Sequence, residues 1–187
     1  MKKVFLNSLV LPLVLSGCVS ISIVTLLNAD GSGKRALQLS ANDNVTTAKL
    51  TAMNKADDPR ILKLLPSGLT FTDKTYEKKE SGKTTYIEAY RFPAFDLLGP
   101  IDMGFLGSGR VTASVSITSC GDKQIMTYQE TWKYDTPEVA SFVGFNTVQF
   151  PGKIMSSNAS AIDDTRNAAT WYFSSDNYQL LMNADVE

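Results

Sequence analysis

The sequence predicts an α+β domain: a curved antiparallel β-sheet built from hairpins, with two or three short helices packed on one face. Three observations predict it. Alternating polar and apolar runs recur in pairs around Gly, Asn and Asp turn residues, the signature of hairpins. Two segments, Val45 to Met53 and Pro59 to Leu65, place apolar residues at helical spacing instead. One face of the clearest hairpin is apolar and the other is a row of Ser and Thr, the pattern of a sheet with one solvated side.

Before the first strand comes a leader. Lys2 and Lys3 form a positive start, and Val4 to Leu15 is an almost unbroken apolar run. It is too short for a mature membrane span, so residues 1–17 are expected to be a secretory signal peptide and 18–187 a single domain. The run ends in "LSGC", Leu15 to Cys18, which resembles the bacterial lipobox. That resemblance implies a lipidated Cys18, cleavage before it, and attachment of the domain to a membrane through amino-terminal acyl chains. More than one chain gives stable anchoring, whereas one is marginal. The alternative is an ordinary leader cut nearby, which leaves a bare thiol and opens a disulfide to Cys120. Val19 and not Asp follows the cysteine, so a Gram-negative source would send the protein to the outer membrane. No second apolar run of membrane length appears, and the amino end is the expected anchor.

"VSISIVTLL NADGSGK RALQLSA" predicts the first hairpin, with a turn rich in Asn, Asp and Gly. Its acidic residues lack the spacing of a calcium loop. Next, Val45, Ala48, Leu50 and Met53 suggest one helix. Asp58 as cap and Pro59 at the first helical position start another, which Pro66 and Gly68 end. "LTFTDKTYEKKESGKTTYIEAYRF" predicts a second hairpin reversing at Ser81-Gly82. "RVTASVSITSCGDKQIMTYQETWKY" predicts a third around Gly121-Asp122. There Met126, Tyr128, Trp132 and Tyr134 share a face that Glu130 interrupts. A turn of helix is expected after Pro137. A strand broken at Pro151-Gly152 follows, since proline belongs at an edge or bulge. "AATWYF" and the tail add further strands.

Pro93 to Gly109 fits no period. Apolar residues are interleaved there with Gly and Pro, so the segment either covers the core or forms a flap over an apolar site. The ligand-binding residues proposed on this basis are Phe95, Leu97, Leu98, Ile101, Met103, Phe105 and Leu106, with Tyr90, Tyr128 and Trp132 behind them.

Composition narrows the function. Of 187 residues, 43% are hydrophobic and 20% charged, which suits one globular domain with a core. Net charge is -1, and losing Lys2 and Lys3 makes the mature part more acidic. No basic stripe suggests nucleic acid. The chain has no histidine, which excludes Ser-His-Asp and Cys-His catalysis and histidine-bound zinc. No cofactor or metal is expected. The carboxylate pairs Asp57/Asp58 and Asp163/Asp164 lie in polar stretches where they read as solvated.

The lipobox with an immediate hairpin, then "PSGLTFTDKTYEKKESGK" leading into "YRF", then "VQFPGKIMSSNASAIDDTRNAATWYF", resemble the LppM-type bacterial lipoproteins. Pro151, Gly152, Asn158 and Trp171 match that group's ending. The resemblance implies a curved antiparallel sheet with helices on one face and a role in binding lipids or glycolipids at the cell envelope. It brings no catalytic residue, and the four matched positions read as a bulge, a turn and a core aromatic. The expectation is therefore a non-enzymatic envelope lipoprotein binding a lipid or other apolar ligand. The alternative is an interaction or scaffold module for another envelope protein.

Overall fold

The computed structural model describes residues 19–41, 70–78, 83–95, 107–137, 142–174 and 179–187. These residues form eleven strands and no helix. They are β1 Val19–Leu27, β2 Gly33–Ala41, β3 Thr70–Lys78, β4 Thr84–Phe92, β5 Gly107–Cys120, β6 Lys123–Pro137, β7 Phe142–Gln149, β8 Ile154–Ser157, β9 Ala161–Ile162, β10 Ala168–Ser174 and β11 Gln179–Val186. They divide into a seven-stranded sheet, β3-β4-β2-β1-β7-β10-β9, and a four-stranded sheet, β5-β6-β11-β8.

The three hairpins form as the alternation predicts: β1 with β2, β3 with β4, and β5 with β6, all antiparallel. The turns of the first and third follow local chemistry, while the reversal expected at Ser81-Gly82 falls outside the described residues. Asn28, Asp30 and Ser32 hydrogen-bond one another, and Gly31 takes a φ of 80°. Gly121 takes a φ of 63° in the two-residue turn between β5 and β6, a conformation that costs an L side chain and not glycine. The break at Pro151-Gly152 is also present. There the chain leaves the larger sheet, where β7 lies, and enters the smaller one, where β8 pairs with β11.

The expected α+β class is overturned. Among the described residues the cover on the sheet is a second sheet, not helices. The physical reason lies in β6. Its inward side chains Met126, Tyr128 and Trp132 are fully or nearly fully buried, and they supply the apolar area that helices were expected to provide. Trp132 meets Phe173 of the larger sheet with ring centroids 4.9 Å apart, and Tyr128 meets Trp171 at 5.7 Å. Such interdigitation of two inner faces makes a sandwich core. The helices expected over Val45–Met53 and Pro59–Leu65 fall outside the described residues. The residues that directly follow Pro137, where a turn of helix is expected, also fall outside the described residues, and β7 begins at Phe142.

One further correction concerns direction. Every ladder among the described residues is antiparallel except β1 with β7, which is parallel. Hairpin reading cannot find this pairing, because its strands are more than a hundred residues apart. On β1 it leaves Val19, Ile21, Ile23, Thr25 and Leu27 buried on one face.

Candidate functional site

Position alternation explains how two charges come to lie inside. Arg35 occupies an inward position of β2, and Glu130 occupies one of β6 between Tyr128 and Trp132. Facing sheets bring them together. Arg35 Nη1 donates to Glu130 Oε1 at 2.8 Å and Nη2 to Oε2 at 2.6 Å, the bidentate geometry that suits guanidinium and carboxylate. Relative exposure is 4% for Arg35 and 0% for Glu130.

The rest of the cluster satisfies what the pair leaves over. Tyr128 Oη donates to Glu130 Oε2 at 2.6 Å, and Trp132 Nε1 to Oε1 at 2.7 Å. Asn146 Nδ2 lies 3.4 Å from Oε2. Arg35 Nε donates to Thr25 Oγ1 at 2.8 Å, and the guanidinium carbon sits 5.6 Å from the Phe95 ring centroid. Facing its amide nitrogen to the carboxylate turns Asn146 Oδ1 away, and that oxygen is buried with no hydrogen-bond partner among the described residues.

The electrostatics follow from these contacts. Burial pushes the Glu130 carboxyl up, but the Arg35 charge and hydrogen bonds from Arg35, Tyr128 and Trp132 outweigh it and hold the group below the usual carboxylate range. Burial, then the adjacent Glu130 charge, pushes the Tyr128 phenol well above its usual value. Burial opposes the charge on Arg35, but Glu130 more than compensates and raises it. With both oxygens engaged by several donors, Glu130 has no lone pair facing an open site from which to take a substrate proton.

The sequence-proposed residues fall into two groups. Tyr90, Phe95, Tyr128 and Trp132 are buried. Phe95 packs 5.2 Å from Tyr128 and 5.7 Å from Phe92 between ring centroids, and Tyr128 packs 5.4 Å from Phe150. These four belong to the core and line neither a depression of about 410 Å³ beside Lys34 and Arg91 nor one of about 130 Å³ beside Met126 and Glu187. Cys18, Leu97, Leu98, Ile101, Met103, Phe105 and Leu106 lie outside the described residues.

Asn158 and Trp171, matched in the sequence, meet directly. Trp171 Nε1 donates to Asn158 Oδ1 at 2.8 Å, and Asn158 Nδ2 donates to the Leu181 carbonyl at 2.8 Å. The carboxylate of Asp163 caps its own turn, accepting from the Asn167 and Ala168 amides at 2.8 and 2.7 Å and from Thr165. Cys120 is free and exposed. Among the described residues no group of His, Cys, Asp and Glu is placed to hold a metal ion, and no helix is long and apolar enough to cross a membrane.

Sequence reading missed Arg35 and the role of Glu130. The usable signal was a single charge of each sign at an inward position of an otherwise apolar strand face, since such charges are normally buried only as pairs.

No protein-family model and no curated protein matches the chain. Among solved structures it is similar to the NMR structure of the folded domain of the LppM protein of Mycobacterium tuberculosis, with a TM-score of 0.49, 14% sequence identity and 94% of each chain covered.

Proposed function

We propose that this protein is a lipid-anchored component of a bacterial cell envelope that works by binding and not by catalysis. On this reading its sandwich recruits an extended segment of another envelope protein onto the free edge of β5. The observation that carries the reading is that edge. β5 is fourteen residues long and lies at the end of its sheet, with no strand on its outer side among the described residues. From Val111 to Cys120 it carries no charged residue and no proline. Thr112, Ser114 and Ser116 to Cys120 are exposed. Edges that must stay unpaired are guarded by lysine, proline or bulges. An unguarded run of backbone donors and acceptors suits strand addition. Leu15 to Cys18 supports the anchor, and the locked state of Glu130 supports a non-catalytic role.

The test is a photo-crosslinking residue at Ser116, with Ser20 on β1 as control. A stoichiometric protein adduct at Ser116, lost in Ile117→Pro, which removes an outward-facing backbone N–H at an exposed position, supports recruitment at the edge. The absence of any protein adduct overturns it.

A second reading rests on a different observation. Phe95, whose ring lies on Tyr128, leads into the apolar Gly- and Pro-containing run from Leu97 to Leu106. That run suits an apolar ligand. Lipid copurifying with the protein, in the absence of an adduct at Ser116, favours this reading.

A further inference from the structure

Lys34 and Arg91 are direct cross-strand partners in the β2–β4 ladder. Residues directly opposite on one face bring their Cβ atoms to about 5 Å, and like charges so placed repel. Both side chains are exposed, and neither forms an ion pair among the described residues. A stable fold gains nothing from two cations in register that no described carboxylate neutralises. The pair becomes intelligible through what lies beside it. Lys34 and Arg91 border an open cleft of about 410 Å³ at the end of the first hairpin, together with Asn28, Ser32, Phe92 and Pro93.

The cleft is built and not accidental. Its turn is held by Asn28 Nδ2 donating to Ser32 Oγ at 2.8 Å and by the Ser32 amide and hydroxyl donating to Asp30 Oδ1. Asp30 is the one carboxylate of this turn; it does not line the cleft, and its hydrogen bonds are directed at Ser32. Buried Phe92 supports the cleft from below. Cleft walls that present cations of one sign and a polar turn suit an oxyanion. A guanidinium matches the geometry of phosphate oxygens, and an ammonium adds charge without geometric demand.

We propose that this cleft binds a phosphate-type oxyanion, an inorganic phosphate or a phosphate ester, through Lys34 and Arg91. The anion relieves the repulsion between them, so binding and stability are coupled. Free phosphate and a lipid headgroup share this chemistry. Residue 18 adjoins the start of β1 and the cleft lies beyond its far end, a strand of nine residues or about 30 Å away. The proposal is independent of strand addition at β5.

The test uses the full chain in phosphatidylcholine nanodiscs, observed by backbone amide NMR. Inorganic phosphate is expected to shift the Lys34, Arg91 and Phe92 signals saturably and to raise the melting temperature. Lys34→Gln with Arg91→Gln is expected to weaken binding by roughly tenfold or more and to abolish the melting shift. That double variant removes a repulsion, so its melting temperature without phosphate should equal or exceed that of the parent. Lys153→Gln, on another face, should behave as the parent does. Shifts that appear only when phosphatidylglycerol replaces part of the lipid, and that need Lys34 and Arg91, assign the anion to a headgroup. No saturable shift with either source, or equal shifts in the double variant, overturns the proposal.

Discussion

Arg35 and Glu130 come from different sheets and are ninety-five residues apart, yet their side chains form a two-bond ion pair in the middle of the sandwich. Desolvating two charges is costly, and the pair is stable because Tyr128, Trp132 and Thr25 complete its hydrogen bonds. Glu130→Ala leaves the guanidinium buried and unpaired, with an expected loss of about 3–5 kcal/mol. Arg35→Met with Glu130→Leu removes both charges. Its loss in urea unfolding should be about 2–3 kcal/mol less than the sum of the two single losses. Strict additivity would mean that the two side chains do not interact in solution.

The same cluster sets the pH dependence of stability. The folded-state pKa of Glu130 lies below its ordinary value of 4.5. The unfolded chain therefore takes up the proton first on acidification. The contribution of Glu130 is fully present above that ordinary value and is lost as pH falls through the lower folded-state one. Tyr128 acts at the other end. Its folded-state pKa lies above 10.0, so its contribution is present below that value and declines at higher pH. Urea midpoints measured across pH should fall at both extremes. Glu130→Gln should reduce the acid slope, and Tyr128→Phe the alkaline one.

The strands were legible because a two-residue period is local. Each hairpin could be placed from its own alternation and its own turn, as Gly121-Asp122 between β5 and β6 illustrates. What covers a strand face is not local. Tyr128 and Trp132 read equally well as the floor of a ligand site or as core against another sheet, and their contacts with Trp171 and Phe173 decide for packing. The parallel β1–β7 pairing and the Arg35–Glu130 pair were hidden for the same reason, since each joins distant parts of the chain. The Lys34–Arg91 opposition needed the register of β2 against β4.

Asn158 ties the loop after β8 to both sheets. Its side-chain oxygen accepts from Trp171 of the larger sheet and from the Asn183 amide of the smaller one at 2.9 Å. Asn158→Ala leaves the indole N–H of Trp171 without its protein acceptor at a position that water reaches, at an expected cost of about 0.5–1.5 kcal/mol. Trp171→Phe in the Asn158→Ala background removes that donor and should add less than it does in the parent. Thermal unfolding of the four proteins, together with the indole proton shift of Trp171, measures the coupling. An unchanged indole shift in Asn158→Ala would show that the bond does not form.

Gly152 lies where the carboxyl end passes close to the backbone. A Cβ there would sit 1.8 Å from the Glu187 carbonyl oxygen. Lys153 and Glu187 exchange backbone hydrogen bonds of 2.9 Å beside it. Gly152→Ala must push the last residues away, at an expected cost of about 1–3 kcal/mol. Hydrogen exchange localises the effect. The Lys153 and Glu187 amides should lose protection while those of β1 and β2 keep theirs.

The anchor proposed at Cys18 would govern where all of this happens. Acylation at that sulfur would hold the start of β1 at a bilayer, because Val19 follows it directly and already belongs to the strand. Multiple acyl chains give attachment that salt washing does not reverse. In fractionated cells the parent protein should stay with membranes through high salt and carbonate and leave them in detergent. Cys18→Ser should be retained as uncleaved precursor or released to the soluble fraction. Its sandwich should remain intact, since the Arg35–Glu130 cluster and both sheets are built from residues after Cys18. Intact-mass measurement of the parent checks the chemistry directly: a mature chain beginning at residue 18 should carry the added mass of its acyl groups. A bare thiol at that position would remove the envelope assignment and leave a sandwich free to act in solution.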